Sequence, residues 1–301
     1  MKIAITGSTG FIGKALVYFF AEHHDIIAFW RKKSPFHEGI SYESWDITKI
    51  LEKKFSCDIF IHAASDVGYE KTSAEMIQNN VHSGANIIQA LEESWCKHFI
   101  YISSSSVYMG IHGSIREDVS IDTKNLTNSY ALSKYLAEQY FLENLPRHIR
   151  YSVIRPRAVY GKGDTTLLPK IVKLQIFWRI FLIWSGKIAT SVTHIDNLCQ
   201  ALEIIISQYD IKYEIYNVSD ISPITYEEIY RKISKVYWLN GFYIIPIFFL
   251  QILKNCNYNK VSYLLDTFWY EKTLDISKMR KLWYNPSRNI DTFFQNHETL
   301  P

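Results

Sequence analysis

The chain begins Met1-Lys2-Ile3-Ala4-Ile5-Thr6 and passes directly into Gly7-Ser8-Thr9-Gly10-Phe11-Ile12-Gly13. A short apolar run of strand length meets a turn with glycine at every third position, and the turn opens a segment that reads as a helix from Phe11 to Phe20. This succession restricts the fold more than any other feature. A strand that feeds a helix through a glycine turn is the first half of a parallel βαβ unit, which holds the pyrophosphate of a dinucleotide at the helix N-terminus. Gly7 permits the tight turn, Gly10 lets backbone approach the pyrophosphate, and Gly13 lets the helix pack closely on the strand. The helix end offers unpaired N–H groups and the positive end of its dipole. With 12 glycines in 301 residues, three at this spacing arise by chance with odds of about 2%. Context therefore carries much of the argument, and Ile26 to Trp30 reads as the next strand.

Strands and helices continue to alternate through the first half, the pattern of an α/β fold with a doubly wound parallel sheet. Asp58 to Ala64 reads as a strand, Val81 to Glu92 as part of a helix, and His98 to Ile102 as a strand. A long helix around Ser129 to Leu142 and a strand Tyr151 to Arg155 close the run. From about Gly161 the alternation weakens, aromatics crowd the tail, and Pro169, Pro223, Pro246 and Pro286 punctuate it. The reading is a dinucleotide-binding domain over 1–160, to which 190–216 returns, and a smaller substrate-binding region from 161–189 and 217–301.

Composition narrows the function classes. Hydrophobic residues make up 48% of a 301-residue chain, enough for one large core or two smaller ones. A dispersed net charge of +3 gives no footprint for nucleic acid. Cys57, Cys96, Cys199 and Cys256 lie scattered, with no His/Cys cluster at metal spacing, so a metal site is not expected and reduced thiols are. The first strand leaves no room for a signal peptide, which points to the cytoplasm. The apolar stretches Ile171 to Trp184 and Phe242 to Leu253 are too short to span a bilayer and read as apolar helices against a substrate pocket.

The chemistry lies in a second constellation. Ser103-Ser104-Ser105-Ser106-Val107-Tyr108 follows a strand, and Tyr130-Ala131-Leu132-Ser133-Lys134 sits on the next helix, where a spacing of four puts Tyr130 and Lys134 on one face. Chance alone would give about 1.6 such Tyr/Lys pairs among 21 tyrosines and 23 lysines, so the position of this pair matters more than its existence. At this point the sequence resembles the extended short-chain dehydrogenase/reductase family. The glycine turn, Asp46, His62-Ala63-Ala64, Asn80-Val81, Ser103-Ser104, Tyr130/Lys134, Arg155-Pro156 and Tyr160-Gly161 stand in family order. His194-Ile195-Asp196-Asn197 and Asp275-Ile276-Ser277-Lys278 with Asn285-Pro286 look like its later landmarks.

The resemblance implies a Rossmann fold and site residues carried over one by one. Tyr130 is then the acid/base, Ser104 the hydroxyl that polarises the substrate oxygen, Lys134 the cation for ribose hydroxyls and the Tyr130 phenol, and Asn80 a support of the helix geometry. Cofactor contacts fall to Gly7, Thr9, Gly10, Phe11, Ile12, Gly13, Arg31, Lys32, Asp46, Ile47, Ala63, Ala64, Ser103, Tyr130, Lys134, Pro156 and Ala158. Substrate contacts fall to Ser65, Asp66, Ser104, Tyr108 and Arg157. Physical chemistry agrees about the pair, since a phenol near pKa 10 serves neutral-pH proton transfer only when tuned downward. His194 and Asp196 read as a strand end followed by a helix cap contributed by the aspartate, not as a catalytic couple.

Trp30 is followed by Arg31-Lys32-Lys33 where NAD-specific relatives place an acid, so NADP is the expected cofactor, with NAD as the alternative. Asp46 would meet the adenine, cap a helix from Ile47 onward, or do both together. Family relatives most often act on nucleotide-diphosphate sugars, and Ser104-Ser105-Ser106 lacks the acid pair of the dehydratases, which leaves 4-keto reduction or epimerisation. The resemblance also implies a possible homodimer. Ala189-Thr190-Ser191 lacks the Arg that many nucleotide-sugar relatives carry there, with Lys187, Arg280 and Arg288 as stand-ins. Two competing readings remain: 3β-hydroxysteroid dehydrogenase-like hydride transfer on a lipid-like alcohol, and a non-catalytic NAD(P)-binding regulator.

Overall fold

The computed structural model describes residues 1–31, 37–67, 73–165, 175–176, 179–183, 186–210, 212–236, 242–245 and 270–295. The described chain forms two compact units, the first from 1–107, 129–155 and 201–216 and the second from 108–128, 156–200 and 217–301.

The first unit is built on a parallel sheet. Its strands are β1 (Lys2–Thr6), β2 (Asp25–Trp30), β3 (Ser41–Ser44), β4 (Ile59–His62), β5 (His98–Ile102), β7 (Arg150–Pro156) and β13 (Tyr213–Val218), in the order β13-β7-β5-β4-β1-β2-β3. Ile59 to His62 and His98 to Ile102 are buried at every position, as expected of strands covered on both faces. Helices α1 (Phe11–Ala21), α3 (Gly84–Glu92) and α4 (Ser129–Asn144) accompany them, and α2 (Ser73–Ile77) runs into a single π-turn, Gln78–His82. Phe29, Trp45, Phe60, Phe99, Tyr101 and Phe141 belong to one core cluster with Val81, Ile87 and Leu91.

Strand order decides where a ligand can sit. From β1 the chain moves one way to β2 and β3, then returns to the other side of β1 for β4, β5 and β7. The switch point therefore lies beyond the C-terminal ends of β1 and β4, where Thr6 pairs with His62. The Thr6 hydroxyl and His62 Nδ1 are 2.7 Å apart, which ties these two ends together.

The second unit holds β6 (Gly113–Ile115), β8 (Val159–Tyr160), β9 (Gln175–Ile176), β10 (Arg179–Ile183), β11 (Ala189–Thr190), β12 (Thr193–His194), β14 (Ile224–Thr225), β15 (Phe242–Ile245) and β16 (Lys272–Leu274). These form a four-stranded sheet β14-β11-β16-β6, a three-stranded sheet β15-β10-β9 and the pair β12-β8. Its helices are α6 (Tyr226–Val236), α7 (Ser277–Lys281) and α8 (Ile290–Gln295), while α5 (Ile195–Ile206) passes from this unit into the first. Tyr160, Ile229, Tyr230, Ile233 and Phe293 make its core.

The apolar stretches are not helices where they are described. Arg179–Ile183 pairs in parallel with Phe242–Ile245, so β-branched and aromatic runs have found strand partners instead. The remainder of both stretches lies outside the described residues. Among the described residues no helix is long and apolar enough to cross a membrane.

Candidate functional site

The glycine turn has the geometry its spacing implied. Gly7 adopts φ +74°, and a Cβ there would lie 2.6 Å from the Ala64 nitrogen. A Cβ on Gly13 would lie 2.1 Å from the Gly7 carbonyl oxygen, so α1 begins in direct contact with the turn that precedes it. Gly10 is different, because its Cβ would meet only the Gly7 oxygen, at 3.3 Å. That leaves the Gly10 backbone open toward a cavity of about 320 Å³ at the switch point. No side chain caps α1, so its first N–H groups remain available to an anion.

Of the expected cofactor residues, Gly7, Thr9, Gly10, Arg31, Ile47, Ala63 and Ala64 line this cavity, and so do Ser65, Asp66 and Asn80. Thr6, Phe29, Trp45, Thr48, Val67 and Asn79 line it as well, and motif reading had not named them. Phe11 and Ile12 form the first turn of α1 and are not among the lining residues. Lys32, with Lys33, lies outside the described residues. The Asp46 carboxylate accepts from the Thr48 N–H at 3.1 Å and the Thr48 hydroxyl at 2.8 Å. Those bonds hold its pKa below the usual value, and they close a turn at 46–48, since no helix starts at Ile47. The Ser65 hydroxyl oxygen is buried, faces the cavity and has no partner among the described residues.

Lys134 and Tyr130 share a face of α4, as their spacing required. Lys134 is 2% exposed, and its Nζ donates to the Ile102 carbonyl at 2.7 Å. It lies 5.9 Å from the Tyr130 ring centroid and 4.7 Å from that of Tyr101. Only one of its three N–H donors is used among the described residues. Burial pushes its pKa down to about 7, and the Glu138 carboxylate pulls the other way. Ser104 stands two residues beyond Ile102, half-buried, and its oxygen accepts the Ser106 N–H at 3.1 Å. Its own hydroxyl proton is therefore left to donate.

Asn80 sits in the π-turn, a local irregularity common at functional sites. Its amide clamps Asp66, accepting from the Asp66 N–H at 2.7 Å and donating to its carbonyl at 3.0 Å. It also donates to the Ser133 hydroxyl at 3.0 Å, which fixes the residue beside Lys134 to the cavity wall.

Other expectations change. Ser103, expected at the cofactor, is buried, and its hydroxyl donates to the Glu138 carboxylate. Glu138 also accepts from Arg155 Nε at 3.0 Å and from Nη2, a bidentate pair with both side chains 2% exposed or less. Sequence reasoning missed Glu138, although its place one turn beyond Lys134 on the same face was a usable signal. His62, stacked on Tyr101, is pushed down to about 3 by burial and stays neutral.

In the second unit Tyr108, expected at the substrate, is fully buried and its hydroxyl donates to Asn217 at 2.8 Å. Arg157 Nε donates to the Thr190 hydroxyl at 2.8 Å, which holds a guanidinium beside β11. Pro156 ends β7 and Ala158 adopts φ +44°, and both belong to this unit. His194 Nδ1 accepts the Asp196 N–H at 3.1 Å, so the histidine, not the aspartate, caps α5. Asp220 accepts from the His194 N–H, Asn197 and Tyr160, each at 2.7 Å.

The strand order, the glycine turn and the cavity at the switch point define a dinucleotide-binding protein of the doubly wound α/β class. Residues 3–219 match the model of the NAD dependent epimerase/dehydratase family, and the chain belongs to that family of extended short-chain dehydrogenases/reductases. It is similar to the 4-hydroxy-2-methyl-3-oxo-4-farnesyl-3,4-dihydroquinoline-1-oxide ketoreductase of Stigmatella aurantiaca, 23% identical over 233 residues, covering 74% of this chain and 70% of the relative. It is also similar to the 3-beta-hydroxysteroid dehydrogenase of Mycolicibacterium neoaurum, 25% identical over 252 residues, covering 77% and 69%. Among solved structures, UDP-glucuronic acid 4-epimerase from Bacillus cereus in complex with UDP-glucuronic acid and NAD superposes with a TM-score of 0.78. Its identity is 18%, with 99% of this chain and 98% of that chain covered, and the likeness is one of fold.

Proposed function

We propose that the chain is an NAD(P)-dependent enzyme that transfers hydride at a carbonyl or secondary alcohol carbon, with 4-keto reduction of a nucleotide-diphosphate sugar as its reaction. The observation that carries this is Lys134, buried beside the Tyr130 and Tyr101 rings with one of its three N–H donors used among the described residues. An ammonium in such a place needs an oxygen-rich ligand, and nicotinamide-ribose hydroxyls fit it. The Gly10 backbone and the open end of α1 fit a pyrophosphate. NAD(P), when bound, supplies or takes the hydride.

Each role then follows from its place. The Ser104 hydroxyl donates to the substrate oxygen, and Tyr130 gives that oxygen its proton on reduction or takes it on oxidation. The Lys134 ammonium, 5.9 Å from the centre of the Tyr130 ring, favours the phenolate over the phenol by charge attraction. Asn80 holds the helix that presents both groups. At the far end, Arg31 lines the cavity while Asp46 is engaged by Thr48, a setting that favours the 2′-phosphate of NADP. In the second unit, the Arg157 guanidinium beside β11 takes the part of the missing Arg for a sugar diphosphate.

A second reading, reduction of a lipid-like ketone, is favoured by the names of the two curated relatives. Oxidation of NADPH or NADH by the purified protein, followed with 4-keto nucleotide sugars and in parallel with 3-ketosteroids and 2-alkyl-3-oxoalkanoates, separates the two. Turnover of the sugars alone is expected. Turnover of the lipids alone replaces the first reading by the second, and absence of binding to either nucleotide overturns both. Tyr130→Phe should abolish turnover while leaving NADPH affinity, read by fluorescence titration, within about twofold. Undiminished activity in that variant rejects the mechanism.

A further inference from the structure

Lys134 and Glu138 are one helical turn apart on α4, both buried, yet the carboxylate makes no hydrogen bond to the ammonium. Such a pair in a dry interior should close into a salt bridge, because the attraction is strong and nothing else solvates the charges. It does not close because both carboxylate oxygens are held elsewhere. Arg155 on β7 grips them bidentately, and the Ser103 hydroxyl at the end of β5 adds a third bond. Two long-range contacts, 17 and 35 residues apart in sequence, therefore fix where this negative charge stands.

We propose that Glu138 is a tethered counter-ion: Arg155 and Ser103 hold its carboxylate near enough to favour the Lys134 ammonium by field, and too firmly to occupy its N–H donors. Glu138 is a positioning residue, acting on substrate chemistry only through Lys134, and its part in turnover rests on the function proposed above. The arrangement meets two demands that conflict in a simple salt bridge. The site needs a cation beside Tyr130, and it needs that cation's hydrogen bonds free for a ligand. Of the other groups facing Lys134, His62 from β4 is neutral, Tyr101 from β5 is kept protonated by burial, and Tyr130 is the phenol served. Among the described residues Glu138 is thus the acid whose charge favours the Lys134 ammonium, and it acts to raise its pKa.

The test titrates Lys134 itself in the cofactor-free protein, by 15N NMR of lysine Nζ, with Lys134→Met to assign the signal. Glu138→Gln/Arg155→Met removes both charges, so the variant is not left with a lone buried ion and should fold. Its Lys134 midpoint should fall by about one pH unit or more. Arg155→Met alone releases the carboxylate to bond Lys134 directly, so the midpoint should rise while NADPH affinity falls at least tenfold. A purely structural role would lower the melting temperature in both variants and leave the two midpoints equal to wild type. Equal midpoints, or shifts of the same sign, overturn the proposal. If wild-type protein binds no nicotinamide nucleotide, the proposed function fails, while the opposed midpoint shifts still stand or fall on their own.

Discussion

Replacing Lys134 by Met tests how the interior treats this cation. The folded pKa is pushed from 10.5 to about 7 by burial. Below pH 7 the ammonium is charged in both states, and the folded state bears the full desolvation. Above 7 the folded protein releases the proton while the unfolded chain keeps it up to 10.5, so the unfolded state binds more protons and wild-type stability rises with pH across that window. A fall from 10.5 to about 7 corresponds to about 5 kcal/mol at low pH, falling to about 2 kcal/mol at pH 9. Met carries no such pH dependence. The lost hydrogen bond to Ile102 and the contact with the Tyr101 ring offset part of the gain, by about 1–2 kcal/mol together. Urea unfolding should therefore find Lys134→Met more stable than wild type by about 3 kcal/mol at pH 6, with most of that difference lost on going to pH 9. A difference that stays constant between pH 6 and 9 would refute the reasoning, because it would mean that the buried ammonium does not titrate in that range.

Further expectations follow from single positions. Arg31→Ala should weaken NADP at least tenfold in calorimetry and leave NAD within about twofold, since only the former carries the 2′-phosphate; equal losses would remove Arg31 from that role. Gly13→Ala places a methyl 2.1 Å from a carbonyl oxygen and should cost about 2–4 kcal/mol in urea unfolding, whereas Gly10→Ala, with 3.3 Å to the same atom, should cost under about 1 kcal/mol and chiefly weaken nucleotide binding. Similar stability losses in the two would show that the turn does not divide its glycines in this way. Trp95 and Trp283 are 85% and 90% exposed with φ of +59° and +68°. Trp283 occupies the left-handed position after α7, where Tyr284 N–H bonds the Met279 carbonyl, a place that favours glycine. Replacing each by Gly should stabilise by about 0.5–1 kcal/mol, because relief of the left-handed backbone exceeds the added entropy of the unfolded chain. A fall in melting temperature would reveal packing that the exposure does not suggest.

Local interactions made much of this protein legible in its sequence. Apolar runs of strand length gave β1, β2, β4, β5 and β7, and the glycine spacing marked a turn whose conformation only glycine adopts freely. A spacing of four put Tyr130 and Lys134 on one face before any fold was known, because helical periodicity is fixed by the backbone. Where side chains end up depends on what the folded chain brings against them. Asp46 turned to its neighbour Thr48, His194 became the cap of α5, and Arg179–Ile183 found Phe242–Ile245 as a strand partner across some 60 residues. No periodicity announces that Arg155 and Ser103 will capture Glu138. Burial made that capture decisive, because a charge withdrawn from water must be answered by whichever polar groups the tertiary structure places beside it.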